Sequence, residues 1–171
     1  MKKTGYVIWS VVFIAPWLLA YVFLPGKKIE LTCQSNYEML KSVSGGGEAR
    51  SYGTMTSYYH SDGSGISRYA GMLRIGGSST KYQQFSVHRV SNFNYEIIGA
   101  FVKITSQQNS KYVDDNADES AVAEYVYSGF KNGSVEYLKI LKVGGNAFAA
   151  GIGVMPRIYC EPISKSVSLP R

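Results

Sequence analysis

Cysteine and histidine are scarce in this chain, and each scarcity removes a class of chemistry. Only two cysteines occur in 171 residues, Cys33 and Cys160. Two thiolates cannot build a four-cysteine zinc site, and no C-x-x-C spacing is present for redox exchange. The only histidines are His60 and His88, neither with a second His or Cys at metal-ligand spacing. No G-x-S-x-G elbow places a nucleophile beside either of them, so a general-base role has no local support. The glycines form neither G-x-G-x-x-G nor a P-loop, and no run of Lys and Arg supplies the electrostatic footprint of a nucleic-acid binder. Without Lys2 and Lys3, 16 basic residues scattered along the chain face 12 acidic ones, a net of +4. These gaps lead to the expectation of a non-enzymatic protein without cofactor or metal.

A charge-free run is present from Tyr6 to Leu24. At about 1.5 Å per residue this helix would span about 29 Å, the thickness of a bilayer's hydrocarbon core. Tyr6 and Trp9 lie near one end and Trp17, Tyr21 and Phe23 near the other, as interfacial aromatics do. Small residues at −1 and −3 of a cleavage site are missing where the run ends, and Glu30-Leu31-Thr32 before Cys33 does not fit a lipoprotein signal. Residues 1–25 are therefore expected to be an uncleaved transmembrane anchor in contact with lipid through 6–24. Flanking charge does not orient it, because Lys2 and Lys3 balance Lys27 and Lys28. The cysteines do, since a disulfide requires an oxidising compartment.

Fourteen Tyr and 18 Gly point to strands joined by tight turns. Ile29, Leu31, Cys33, Ser35, Tyr37 and Met39 alternate with polar residues, which predicts a strand with Cys33 on its buried face. Ile158 and Cys160 share a face near the other end. If the two strands are neighbours, Cys33 and Cys160 can form a disulfide. Between them, Tyr52–His60, Gly65–Ile75, Lys81–Val90 and Tyr95–Thr105 are predicted strands, the last central because both its faces are apolar. Ser106–Asp118 is a polar connection. A short helix follows, capped by Asp118 or Ser120, with Ala121, Val122, Tyr125 and Val126 as its apolar stripe and Gly129 at C′. Val135–Val143 and Ala147–Ile152 flank the hairpin signal Gly144-Gly145-Asn146. The fold expected is mainly β, about seven antiparallel strands with one short helix. Residues 26–161 form that domain, and 162–171 a flexible tail. Closure into a barrel is left open.

Two further constellations suggest binding. Asp114, Asn116 and Asp118 match the D-x-N-x-D start of a calcium loop, but Glu119 stands where its glycine belongs and Tyr125 where its last ligand belongs. Acids feeding a helix N-terminus explain the stretch better. Tyr58, Tyr59, Tyr69 and Tyr82 suggest an aromatic surface for a sugar or peptide, against the commoner role of cross-strand packing.

The basic N-terminus, single span, early cysteine on a strand, and the segments Leu138-Lys139-Ile140, Gly145-Asn146-Ala147-Phe148 and Pro156-Arg157-Ile158-Tyr159-Cys160 resemble the FidL-like membrane proteins of enteric bacteria. The resemblance is clearest from Asn94 to Cys160 and faint between Val43 and Ile75. It implies an inner-membrane protein with its C-terminal domain in the periplasm, binding a protein partner such as a ToxR-like membrane-bound transcription regulator. It carries over no catalytic residues. A binding module for an envelope glycan or peptide is the alternative.

Overall fold

The computed structural model describes residues 14–17, 30–44, 46–77, 81–143, 147–152 and 155–162. Eight antiparallel strands close into a barrel in which each strand pairs with its sequence neighbours. They are β1 (Leu31–Val43), β2 (Gly47–Tyr59), β3 (Ser64–Gly76), β4 (Gln83–Ile98), β5 (Phe101–Lys111), β6 (Val135–Lys142), β7 (Phe148–Ile152) and β8 (Met155–Pro162). Among the described residues of the domain one helix, α1 (Glu119–Tyr125), and a 3-10 turn (Ser128–Phe130) lie between β5 and β6. Eight strands exceed the expected seven, and closure settles what the sequence left open. The predicted span, 6–24, lies outside the described residues apart from 14–17, which are helical. Among the described residues no helix is long and apolar enough to cross a membrane. Residues 163–171 of the tail and the turn 144–146 also lie outside.

Inward and outward side chains alternate along the strands, as a small closed barrel requires. Cys33, Ser35, Ala49, Ser51, Met55, Ser57, Ser67, Tyr69, Leu73, Val87, Arg89, Ser91 and Phe93 are buried at odd positions of β1–β4. The parity changes across the turn at Gly99, whose φ of 62° suits glycine, and Val102, Ile104 and Ser106 then face inward. This change corrects the reading of Tyr95–Thr105 as one central strand. Both faces of that segment appear apolar because Tyr95–Ile98 ends β4 and Phe101 begins β5, paired as Ile98↔Phe101. The polar stretch Ser106–Lys111, expected as connection, continues β5 and pairs with β4 as far as Lys111↔Arg89.

The barrel wall is uneven. β1–β4 are 13 to 16 residues long, whereas β6, β7 and β8 have 8, 5 and 8. Helix α1 packs where the short strands stop. Its Val122 and the following Val126 are buried with Ala49, Leu73 and Val87. Tyr37 on β1 donates a 2.5 Å hydrogen bond to the Val126 carbonyl. The Asp118 side chain caps the helix, accepting from the backbone N–H of Ser120 (2.8 Å) and Ala121 (3.2 Å).

Gly129 does not end α1. The helix stops at Tyr125, and Gly129 sits in the 3-10 turn, buried, without positive φ. Its carbonyl accepts from Ser91 (2.9 Å) and Ser106 (2.7 Å), which fasten the turn inside the barrel. A Cβ at this position would lie 2.2 Å from the Tyr127 ring. Gly129→Ala is therefore expected to destabilise the domain by about 1–3 kcal/mol through overpacking, measured by urea denaturation. An unchanged midpoint would show that the ring moves aside freely.

Candidate functional site

The acidic stretch and the second histidine, far apart in sequence, meet where the connection 112–118 crosses β4. Asp115 forms the centre of that junction. Its Oδ2 accepts from Arg89 Nε at 2.6 Å and from the His88 backbone N–H at 3.0 Å. Its Oδ1 accepts from Arg89 Nη2 (3.2 Å) and the Ala117 N–H (3.0 Å). Arg89 Nη2 also donates to the Ala117 carbonyl at 2.9 Å. The two side chains are 3% and 0% exposed, so this is a bidentate ion pair inside the barrel mouth.

The neighbouring polar residues are engaged separately. Asp114 meets His88 Nδ1 at 2.5 Å on the outer face. Asn116 Oδ1 accepts from the Ser86 N–H at 2.8 Å. Asp118 caps α1, and its hydrogen bonds, first the one from the Ser120 hydroxyl, hold its carboxyl below the usual range. The D-x-N-x-D residues thus turn to separate partners, Asp114 and Asn116 to His88 and Ser86 of β4 and Asp118 to α1, and do not converge as calcium ligands would. Among the described residues no group of three His, Cys, Asp or Glu side chains is placed to hold a metal.

The histidines lie apart. His60 follows β2 at the β2–β3 turn, and its carbonyl accepts from Tyr95 Oη at 2.6 Å. His88, oriented by Asp114, borders a groove of about 350 Å³ on the outside of β2–β4, with Thr54, Thr56, Arg68 and Tyr112. This is half of a base–orienter arrangement, set beside hydroxyls and a guanidinium suited to polar ligands.

The four tyrosines expected to share a surface do not. Tyr69 is 2% exposed and points into the barrel, and Tyr59 is inside against Phe93 and Tyr95. Tyr58 and Tyr82 face outward, stacked with Arg68 and Arg74. Cross-strand parity divides them, since Tyr58 and Tyr59 are consecutive in one strand and must face opposite ways. Among the described residues the interior tyrosines pack with Phe93 and Phe130, and the cavity beside the disulfide is about 40 Å³. That is too small for a carried ligand.

Burial, with Glu136 nearby, pushes the hydroxyls of Tyr37 and Tyr59 up to about 12. Burial raises Tyr127 as well, again helped by Glu136. Neutral tyrosine is the form that the fold favours. Its contribution is complete below about pH 10, the unfolded value, and is lost as pH rises toward 12. Absorbance at 295 nm is expected to show an exposed tyrosine class ionising near pH 10 and an interior class ionising together with unfolding. A single unperturbed transition would contradict the packing.

Two further surfaces are open among the described residues. Ile98, Phe101, Val135, Tyr137, Leu141, Val143, Ile152 and Tyr159 are exposed on the β5–β8 side, whereas the outer face of β1–β3 exposes only Leu40 and Tyr52 among its described large apolar residues. On β6 the alternation is clear: Leu138 and Ile140 belong to the core, Tyr137 and Leu141 to the surface. The other is a cleft of about 730 Å³ between β5 and α1. No family model, no curated protein and no solved structure matches the chain.

The cysteines sit at the barrel's closing seam. Cys33 and Cys160 form a disulfide, with Cα atoms 5.2 Å apart. β1 and β8 are paired at Cys33↔Pro162 and Gln34↔Glu161, so the bond reinforces the junction of first and last strands.

Proposed function

We propose that this chain is a non-enzymatic accessory protein of the bacterial inner membrane, anchored by residues 6–24, whose periplasmic barrel binds a protein partner. The observation that carries the reading is the apolar outer face of β5–β8. Exposed apolar side chains concentrated on one side of a domain mark an interaction surface, and here they alternate with Lys103 and Lys139 along the same strands. The cavity beside the disulfide is too small for a ligand, which favours recognition on the outside. The disulfide supports an oxidising compartment, and the charge-free run supports an anchor. The resemblance to the FidL-like proteins supports a ToxR-like membrane-bound regulator as the partner, by analogy.

A photo-reactive amino acid at Tyr137 or Leu141 in the full chain, in cells, is expected to cross-link one specific membrane protein. Leu141→Arg should abolish that product. Capture of nothing from either position would sink the reading. The groove beside His88 and Arg68 favours the second reading, an envelope glycan or peptide. Stabilisation of the purified full chain by peptidoglycan fragments, lost in Arg68→Ala, would support it, because a ligand selective for the native state must raise the melting temperature.

A further inference from the structure

The barrel wall is open along a stretch of the β5 backbone. β5 pairs with β6 only from Phe101↔Lys139 to Thr105↔Val135, but with β4 it continues to Lys111↔Arg89. Just past the last β6 pair, Ser106 still exchanges hydrogen bonds with Ser134 and Gly133. The register then shifts opposite Asn92 and Phe93, where Gln107 is the extra residue of a bulge. Tyr112 N–H donates to the His88 carbonyl at 3.1 Å. By antiparallel alternation, Ser110 and Gln108 also turn their backbone groups toward β4, and Asn109 and Lys111 turn theirs away. The outward Asn109 N–H is held by Asn132 Oδ1 at 3.0 Å, a side-chain amide standing where a neighbouring strand's carbonyl would stand. By the same alternation the Asn109 carbonyl and both backbone groups of Lys111 turn to the side on which Asn109–Lys111 line the cleft.

That cleft has the form of a peptide site. Asn109–Lys111 make one wall, and Glu119, Ser120 and Ala123 of α1 make the other. A sheet edge beside a helix is a setting in which an extended segment adds a strand, with main-chain hydrogen bonds giving affinity and the flanking wall giving selectivity. Charge narrows the choice. Glu124 is engaged by Lys41 at 3.4 Å, which leaves Lys111 and Lys131 against Glu119 around the opening.

We propose that the β5 edge between Asn109 and Lys111 takes up an extended segment of a partner protein, bearing an acidic side chain toward Lys111 and Lys131, as an added antiparallel strand. This deepens the partner-binding reading and rests on it for the identity of the occupant. The Asn132 amide acts as a removable cap on the edge.

The test uses the full chain in detergent micelles and a labelled acetyl-Thr-Val-Asp-Val-Thr-Val peptide as probe. Saturable binding is expected, with the Lys111 amide newly protected from hydrogen exchange. Lys111→Pro removes one outward N–H and the ammonium together without touching the bonds to β4, and should weaken binding at least about fivefold and more than Lys111→Gln, which removes the ammonium alone. Asn132→Ala uncovers the Asn109 N–H and should tighten it about threefold; a gain of this kind cannot come from a damaged fold. Replacing Asp by Lys in the probe should weaken binding. Unprotected Lys111, or indifference to Lys111→Pro and Asn132→Ala, would overturn the proposal. Equal binding of the acidic and basic probes would overturn the acidic occupant. Cross-linking from Tyr137 separates the two readings. A partner captured equally by wild type and Lys111→Pro, with no probe binding, rejects the cleft and keeps the partner. Probe binding as expected with no partner captured keeps the cleft and rejects the β5–β8 docking face.

Discussion

Replacing Arg89 with Met is expected to destabilise the barrel by about 3–5 kcal/mol, among the largest losses available to a single side chain here. The cost lies in what is left behind. Asp115 would remain a carboxylate with no exposed side-chain surface, its cation gone, still held by the N–H groups of His88 and Ala117. Asp115→Ala should cost more, because it strands a buried guanidinium and frees both of those N–H groups together. The double change Arg89→Met with Asp115→Leu should recover part of the loss, since a buried ion pair replaced as a unit often costs little. Recovery stays incomplete, as the two backbone donors lose their acceptor in either case. The consequences are also local. The 112–118 connection and the seat of α1 depend on Asp115, so hydrogen exchange should accelerate first in α1 and at His88. Urea denaturation of the three variants would measure the ordering. A loss below about 1 kcal/mol for Arg89→Met would mean that the pair contributes geometry and little energy.

How much of this was legible in the sequence depended on range. Strand β1 was plain from its own alternation, and the Asp118 cap from its place before an apolar stripe, because both signals are local. The strand count was blurred by polar residues on the inside. Ser35, Ser51, Ser57, Ser67, Ser91 and Ser106 are all buried, and a small hydroxyl at a core position erases the period that defines a strand. Ser106 therefore read as the start of a loop. The interior has another source of bulk, since α1 and Phe130 enter from one end and the large rings of Tyr37, Tyr69 and Tyr127 fill the space around them. The junction of Arg89 with Asp115 left no trace, because 26 residues separate the two partners and each alone reads as an ordinary surface charge. The open edge of β5 was hidden for a related reason. It follows from the length of β6, which no pattern within β5 reports. The disulfide alone among long-range features was inferable, since two cysteines admit only one pairing.

Removing that disulfide is expected to cost about 5 kcal/mol by loop-closure entropy alone, for a sequence separation of 127 residues. A loss of this size approaches the whole stability of a small domain. The position of the bond argues that the structural consequence will be local before it is global. β1 is paired with β2 along its entire length, from Leu31↔Tyr59 to Val43↔Gly47, but with β8 at only two described positions. β8 is held on its other side by the five-residue β7, whose pairing contains a register shift at Gly151. The seam is thus the weakest wall of the barrel, and the covalent bond crosses it beside the few ladder hydrogen bonds present. With Cys33 and Cys160 both replaced by Ala, amide exchange should rise first in β8 and at the start of β1, while β2–β4 keep their protection. Thermal unfolding of the full chain should shift downward by a similar amount on reduction and on the double substitution, because both remove the same constraint. Unchanged melting after verified reduction would show that the seam holds without the bond. Partial unfolding confined to β7 and β8 would instead show that the first four strands and α1 form the more stable unit. The interaction face proposed on β5–β8 would then depend on the oxidised state, because Tyr159 lies one residue from Cys160 and Ile152 ends β7.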